Sequence, residues 1–242
     1  MFWWIFATLV AFFVKGLCGF ANTLVFSAIL SFGSSNINIT PVELLLGFPT
    51  NLILAWKERK SIRWKLCLPL IVLILAGNIP GIFLLKNTDS RSVKIFFGLV
   101  IMGIGVEMLL RERHPHKGKE SRLVLILVGI MSGILSGRYG IAAMLAACVS
   151  QVTEDSHSFK ANMCAVFLAE NLFRIPMYTA TGILTPVALK QAALLFLVML
   201  AGLFAGMKSS SLLDEKAVKT LVIFMLILSG AALVLGEVLA GG

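Results

Sequence analysis

The sequence predicts an all-α polytopic integral membrane protein built as two homologous repeats, and three observations predict it. Of 242 residues, 58% are hydrophobic and 14% charged, against about 25% charged in a soluble domain, and mean hydropathy is +0.94. Apolar runs near 2–32, 41–56, 66–85, 95–110, 122–150, 159–182, 187–207 and 217–240 alternate with short polar loops, giving about eight segments. Glycine and asparagine positions of the first half also recur, in order, roughly 120 to 125 places later in the second. Together these exclude a soluble enzyme, a disordered chain and a disulfide-stapled secreted domain. The net charge of +9 does not argue for a nucleic-acid partner: 10 of the 21 basic residues lie in windows 57–65 and 111–122, the cytoplasmic Lys/Arg bias of a membrane protein.

The first run, 2–32, opens apolar, with no basic leader and no small-residue cleavage site, so it reads as the mature start with Trp3 and Trp4 as interfacial anchors. Arms 2–14 and 17–32 flank Lys15-Gly16, and in the second half arms 123–136 and 139–152 flank Gly137-Arg138. Each arm is short for a core about 30 Å thick at 1.5 Å per residue, and each pair is long for one helix. A re-entrant hairpin with its tip at the midplane fits; one tilted helix kinked at glycine is the alternative. Three spans follow in each half. The run 66–85 has the length of a span, and Pro69 and Pro80 within it are expected to kink the helix without ending it.

Residues 1–112 are thus the first transmembrane repeat, 113–121 a basic cytoplasmic linker and 122–242 the second repeat, all one integral membrane domain. In that linker His114 and His116 have metal-clip spacing, but a solvated basic loop is the plainer reading, and no metal or other cofactor is expected. The single cysteines Cys18, Cys67, Cys148 and Cys164 read as small packing residues. The repeat matches are Gly16 and Gly19 with Gly137 and Gly140, Asn51 with Asn171, Gly77 with Gly202, and Gly81 with Gly206. Hairpin-plus-three-span halves are inverted, which places Lys160, Lys208, Lys216 and Lys219 inside and both termini outside the cytoplasm. Four-span halves are parallel and reverse this. The Lys/Arg count favours the inverted arrangement.

Charge inside hydrocarbon costs roughly 2.5–3.5 kcal/mol per residue even on insertion scales, so the intramembrane charges carry the chemistry. Lys15 and Arg138 sit at the two tips, beside Gly16, Gly19, Gly137 and Gly140, where exposed backbone N–H groups and broken-helix dipoles favour an anion. The structural alternatives are snorkelling for Lys15 and an internal ion pair for Arg138. Glu170 and Arg174 are four apart in the run 159–182, the spacing of a helical ion pair. Their functional reading makes Glu170 a carrier of a coupling proton and frees Arg174 for the anion. Asn51 and Asn171 are candidates to hydrogen-bond substrate oxygens or to re-tie broken helices. Glu43, Glu107 and Glu237 lie near run ends and read as ordinary solvated carboxylates. The ladder Gly129, Gly133, Gly137 reads as close helix packing. No phosphate loop, HExxH or Ser/His/Asp arrangement points to an ATP-driven pump or an enzyme.

The segment Lys15-Gly-Leu-Cys-Gly-Phe-Ala-Asn-Thr-Leu-Val25, containing Asn22, and the later Gly133-Ile-Leu-Ser-Gly-Arg-Tyr-Gly140 resemble the sulfite exporter TauE/SafE family. The resemblance covers essentially the whole chain, although Ile141-Ala-Ala follows Gly140 where the family has a fuller glycine run. It implies a multi-pass transporter in the inner membrane of a prokaryote, moving small sulfur-containing or organic anions. The expected partners are therefore a small anion, the bilayer and a coupling proton, with Lys15, Gly16, Gly19, Asn22, Asn51, Gly137, Arg138, Gly140, Asn171 and Arg174 binding the substrate. The competing functional classes are a passive anion channel and a non-transporting membrane scaffold.

Overall fold

A computed structural model of the protein describes residues 1–30, 36–87, 122–139 and 155–210 continuously, with isolated positions between 95 and 110, 145 and 153, and 212 and 235. Regular structure among the described residues is entirely helical: α1 (Phe2–Cys18), α2 (Asn22–Leu30), α3 (Asn36–Lys57), a short 3₁₀ turn (Arg59–Ser61), α4 (Trp64–Asn87), α5 (Arg122–Tyr139), α6 (Ser156–Ala180) and α7 (Pro186–Ser210). Among the described residues, three stretches are long and apolar enough to cross a membrane: Ile37–Lys57, Trp64–Phe83 and Pro186–Ser210. α4 runs through Pro69 and Pro80 without ending, as a helix does when its neighbours re-satisfy the freed carbonyls. Val72, Leu194 and Leu197 stand outward on α4 and α7, more than half exposed, the face lipid covers.

The first segment folds back on itself. Gly19 terminates α1 at φ 84° and Ala21 also takes a positive φ of 69°, a left-handed geometry that costs a residue with a Cβ. Beyond this turn α2 reverses along α1, so that the rings of Trp4 and Phe26 lie 5.8 Å apart. A continuous helix would hold those residues about 33 Å apart. Trp3 is exposed while Trp4 is partly buried against the core. The break falls at residues 19–21 and not at Lys15-Gly16, which form the last turn of α1. The reason is tertiary: a methyl group on Gly16 would collide with the Leu203 carbonyl of α7, so this glycine serves close packing and Gly19 supplies the turn.

A matching correction applies to the second half. α5 continues through Gly137 and Arg138 to Tyr139, because Gly137 is consumed in a helix crossing: a Cβ there would meet the Asn78 carbonyl at 2.6 Å. Glycine seams of this kind join the halves. Gly77 and Gly81 of α4 face Gly133 and Gly137 of α5, and Gly16 of α1 faces Gly206 of α7. Close backbone approach between small residues is how helices associate without a hydrophobic driving force.

One end of the bundle gathers segments from both halves. Asp155 caps α6 by accepting from the Ser158 N–H at 2.7 Å. Asn162 then accepts the Arg63 N–H at 2.8 Å with its side-chain oxygen, His157 Nδ1 lies 3.0 Å from Glu58 Oε2, and Lys160 Nζ donates to Ser210 Oγ at 2.5 Å. The basic window 57–65, the start of α6 and the end of α7 therefore share one face of the molecule.

Candidate functional site

The hairpin turn, α3, α5 and α6 line a cavity of about 30 Å³, room for roughly two waters at 10–15 Å³ each. Its placement follows from the break in the first segment. Lys15 ends α1 and Asn22 begins α2, so the turn delivers a cation and the open N–H end of a helix to the same wall. The opposite wall is the middle of α6, where Glu170, Asn171 and Arg174 occupy about one turn. α3 contributes Glu43 and Asn51, and α5 contributes Ser136.

Lys15, Glu43, Glu170 and Arg174 are all at most 4% exposed, yet their pairing differs. Lys15 Nζ donates to Asn22 Oδ1 at 3.2 Å and lies 6.0 Å from the centre of the Phe167 ring. Asn22 Nδ2 in turn donates to Glu43 Oε1, and Thr23 also hydrogen-bonds that carboxylate. The cation and the carboxylate are thus joined through a neutral amide. In α6, Arg174 Nη1 sits 3.5 Å from Glu170 Oε1, and Arg174 Nη2 donates to Tyr178 Oη at 2.7 Å. Ser136 Oγ donates to Glu170, as does Asn78, and Tyr178 Oη donates to the Gly137 carbonyl at 2.9 Å. Here the ions touch directly and hydrogen bonds hold them on both sides.

Two polar atoms at the cavity have no hydrogen-bond partner among the described residues: Arg174 Nε and Asn51 Oδ1. Buried polar atoms are almost always satisfied, and an unused guanidinium N–H beside a cavity is a donor waiting for an acceptor. Gly47 of α3 lies against three of the lining side chains. A methyl there would sit 3.2 Å from Glu43 Oε1, 3.7 Å from Asn171 Nδ2 and 3.8 Å from Asn22 Nδ2.

Of the residues expected from sequence to bind substrate, Lys15, Asn22, Asn51, Asn171 and Arg174 line this cavity, with Glu170 among them. Gly16, Gly19 and Gly137 do not line it. Gly16 and Gly137 pack helices behind it, and Gly19 makes the turn against the Lys160 side chain. Gly140, the linker 113–121 with His114 and His116, Glu107 and Glu237 lie outside the described residues, as does the side chain of Arg138. Among the cavity residues that escaped the sequence reading are Glu43, Ser136, Thr23 and Phe167. Glu43 is buried and hydrogen-bonded, not solvated, because α3 starts at residue 36 and carries it inward from the run end. Ser136 is a ligand to Glu170. A signal existed: Glu43, Gly47 and Asn51, like Glu170, Arg174 and Tyr178, are spaced by four and mark one polar stripe on an apolar helix. Among the described residues no cluster of metal-ligating side chains occurs.

Compared with known proteins, residues 4–233 match the family described as Sulfite exporter TauE/SafE. No curated protein and no solved structure matches the chain.

Proposed function

The chain belongs to the sulfite exporter TauE/SafE family, a family of membrane transport proteins, and from that premise we propose that it is a secondary transporter of a small anion. Sulfite, an organosulfonate or a related organic anion binds in the cavity between Lys15 and Arg174 and crosses the inner membrane of a prokaryote by alternating access. The observation that carries this reading is the unpartnered, buried Nε of Arg174, a residue lining a cavity that is also lined by a second cation, Lys15, and by Asn22 at the start of α2. Asn22, Asn51 and Asn171 supply adjustable amides around the anion. A coupling proton rides on a cavity carboxylate, Glu170 or Glu43.

Two repeats, 1–112 and 122–242, joined by the linker 113–121 and inverted in the membrane, would rock around this site. The glycine seams support that reading, since they pair positions that the sequence shifts relate: Gly16 with Gly206 on one side, Gly137 with Gly81 on the other. So does the shared face of Glu58 and His157, because inverted halves put the start of α6 on the side of the basic window and parallel halves put it opposite. A reporter fused after Gly242 that fluoresces only in the cytoplasm should stay dark; a bright signal sinks the inverted arrangement.

Flux of sulfite into proteoliposomes tests the function. Concentrative uptake under an imposed gradient is expected. Purely dissipative flux would mean a channel, and no flux would mean a scaffold in which the buried charges only hold one another.

A further inference from the structure

The cavity holds four ionisable groups, and with all four ionised their charges cancel: Lys15 and Arg174 against Glu43 and Glu170. A monovalent anion entering that set leaves one uncompensated negative charge among side chains that are all at most 4% exposed, which proteins avoid by pairing or by protonation. The anion therefore requires a proton, and the two carboxylates are not equivalent takers. Glu170 is in contact with the Arg174 guanidinium and receives hydrogen bonds from Ser136 and Asn78. Protonating it would strand Arg174. Glu43 receives only neutral donors, Asn22 and Thr23, and among the described residues no cation lies within ion-pairing distance of it. The charged groups facing it are Lys15 from α1 and Glu170 and Arg174 from α6.

We infer that Glu43 is the proton site of the transport cycle: its carboxylate takes up one proton as the anion binds Lys15, and anion and proton cross together. This rests on the anion-transport reading of the same cavity and assigns its coupling. The structure supplies the linkage. Asn22 accepts from Lys15 and donates to Glu43 with the two ends of one amide. An anion that draws the Lys15 ammonium away from Asn22 leaves the Asn22 oxygen without its donor, and a protonated Glu43 can supply a replacement O–H to it. One O–H bond forms on Glu43, the proton comes from the solvent that delivers the anion, and both leave on the far side. For a monovalent anion each crossing then carries no net charge, so membrane voltage does not drive it and a pH gradient does.

The test counts protons in the purified full-length protein. Methanesulfonate, whose charge does not change with pH, is titrated into weakly buffered protein containing a pH indicator. Wild type should take up about one proton per anion bound, and Glu43→Gln close to none. If methanesulfonate does not bind, sulfite replaces it and the difference between wild type and variant cancels its own titration. Equal proton uptake by the two proteins overturns the assignment to Glu43. A second measurement needs no variant: in wild-type proteoliposomes, methanesulfonate influx should rise several-fold with an inward proton gradient and stay unchanged under a potassium diffusion potential. Influx that follows the voltage overturns the coupling. Binding of neither sulfite nor methanesulfonate to a folded protein overturns the anion site itself and this inference with it, and that outcome is distinct from binding without a proton.

Discussion

On the first-half side of the cavity Lys15 reaches a carboxylate only through the Asn22 amide, whereas on the second-half side Arg174 touches Glu170 directly and is fastened by Tyr178. The scaffolds are alike: each side is a glycine-seamed helix facing a helix with polar residues four apart. The chemistry is not. The shift of 121 that lays Gly16 on Gly137 lays Lys15 on Ser136, so a cation on one side corresponds to a hydroxyl on the other. On similar glycine-seamed scaffolds, the side chains around the cavity separate a loosely held pair from a rigid one.

The comparison breaks first at the rigid pair. Arg174→Gln leaves Glu170 buried without its cation and should cost about 3–5 kcal/mol of stability, read as the loss of folded protein in chemical denaturation. Arg174→Lys should not restore it, since a point charge cannot hold Glu170 and Tyr178 together in the guanidinium plane. The seams come next. Gly16→Ala and Gly137→Ala force apart backbones already in contact and should each cost about 1–3 kcal/mol. Near-equal losses would sharpen the reading of the two seams as equivalents, and a cost confined to one of them would break it.

The loose pair should respond differently. Lys15→Gln keeps a hydrogen bond to Asn22 and should fold, but it should weaken sulfite affinity tenfold or more, about 1.4 kcal/mol, measured by calorimetry on purified protein. Normal affinity there would remove Lys15 from the site. The smallest effect belongs to His157→Gln, which loses a contact to Glu58 from a side chain 67% exposed and should change stability by no more than about 0.5 kcal/mol in a thermal melt.

The sequence carried the helical class, the folded-back first segment and the charged and amide side chains of Lys15, Asn22, Asn51, Glu170, Asn171 and Arg174 at the cavity, because apolar run length and charge inside hydrocarbon are local signals. It did not carry the position of the break. Gly16 and Gly19 look alike in sequence, and what separates them is the arrival of α7, far along the chain, against one of them. Glu43 failed for a related reason: nearness to a run end describes distance along the chain, and α3 turns that into depth. Ser136 was invisible as a single hydroxyl until Glu170 stood beside it.

The seam between Gly16 and Gly206 also sets a schedule for biosynthesis. About 190 residues separate the two glycines, so at roughly 5–20 residues per second α1 leaves the ribosome on the order of 10–40 s before its partner exists. Over that interval the hairpin stands in the membrane with its glycine face open and Lys15 without the wall of α6 opposite. The nascent chain thus has a long window in which lipid, an insertion factor or a second emerging copy can occupy the place reserved for α7, and slowing translation beyond residue 186 should lengthen it.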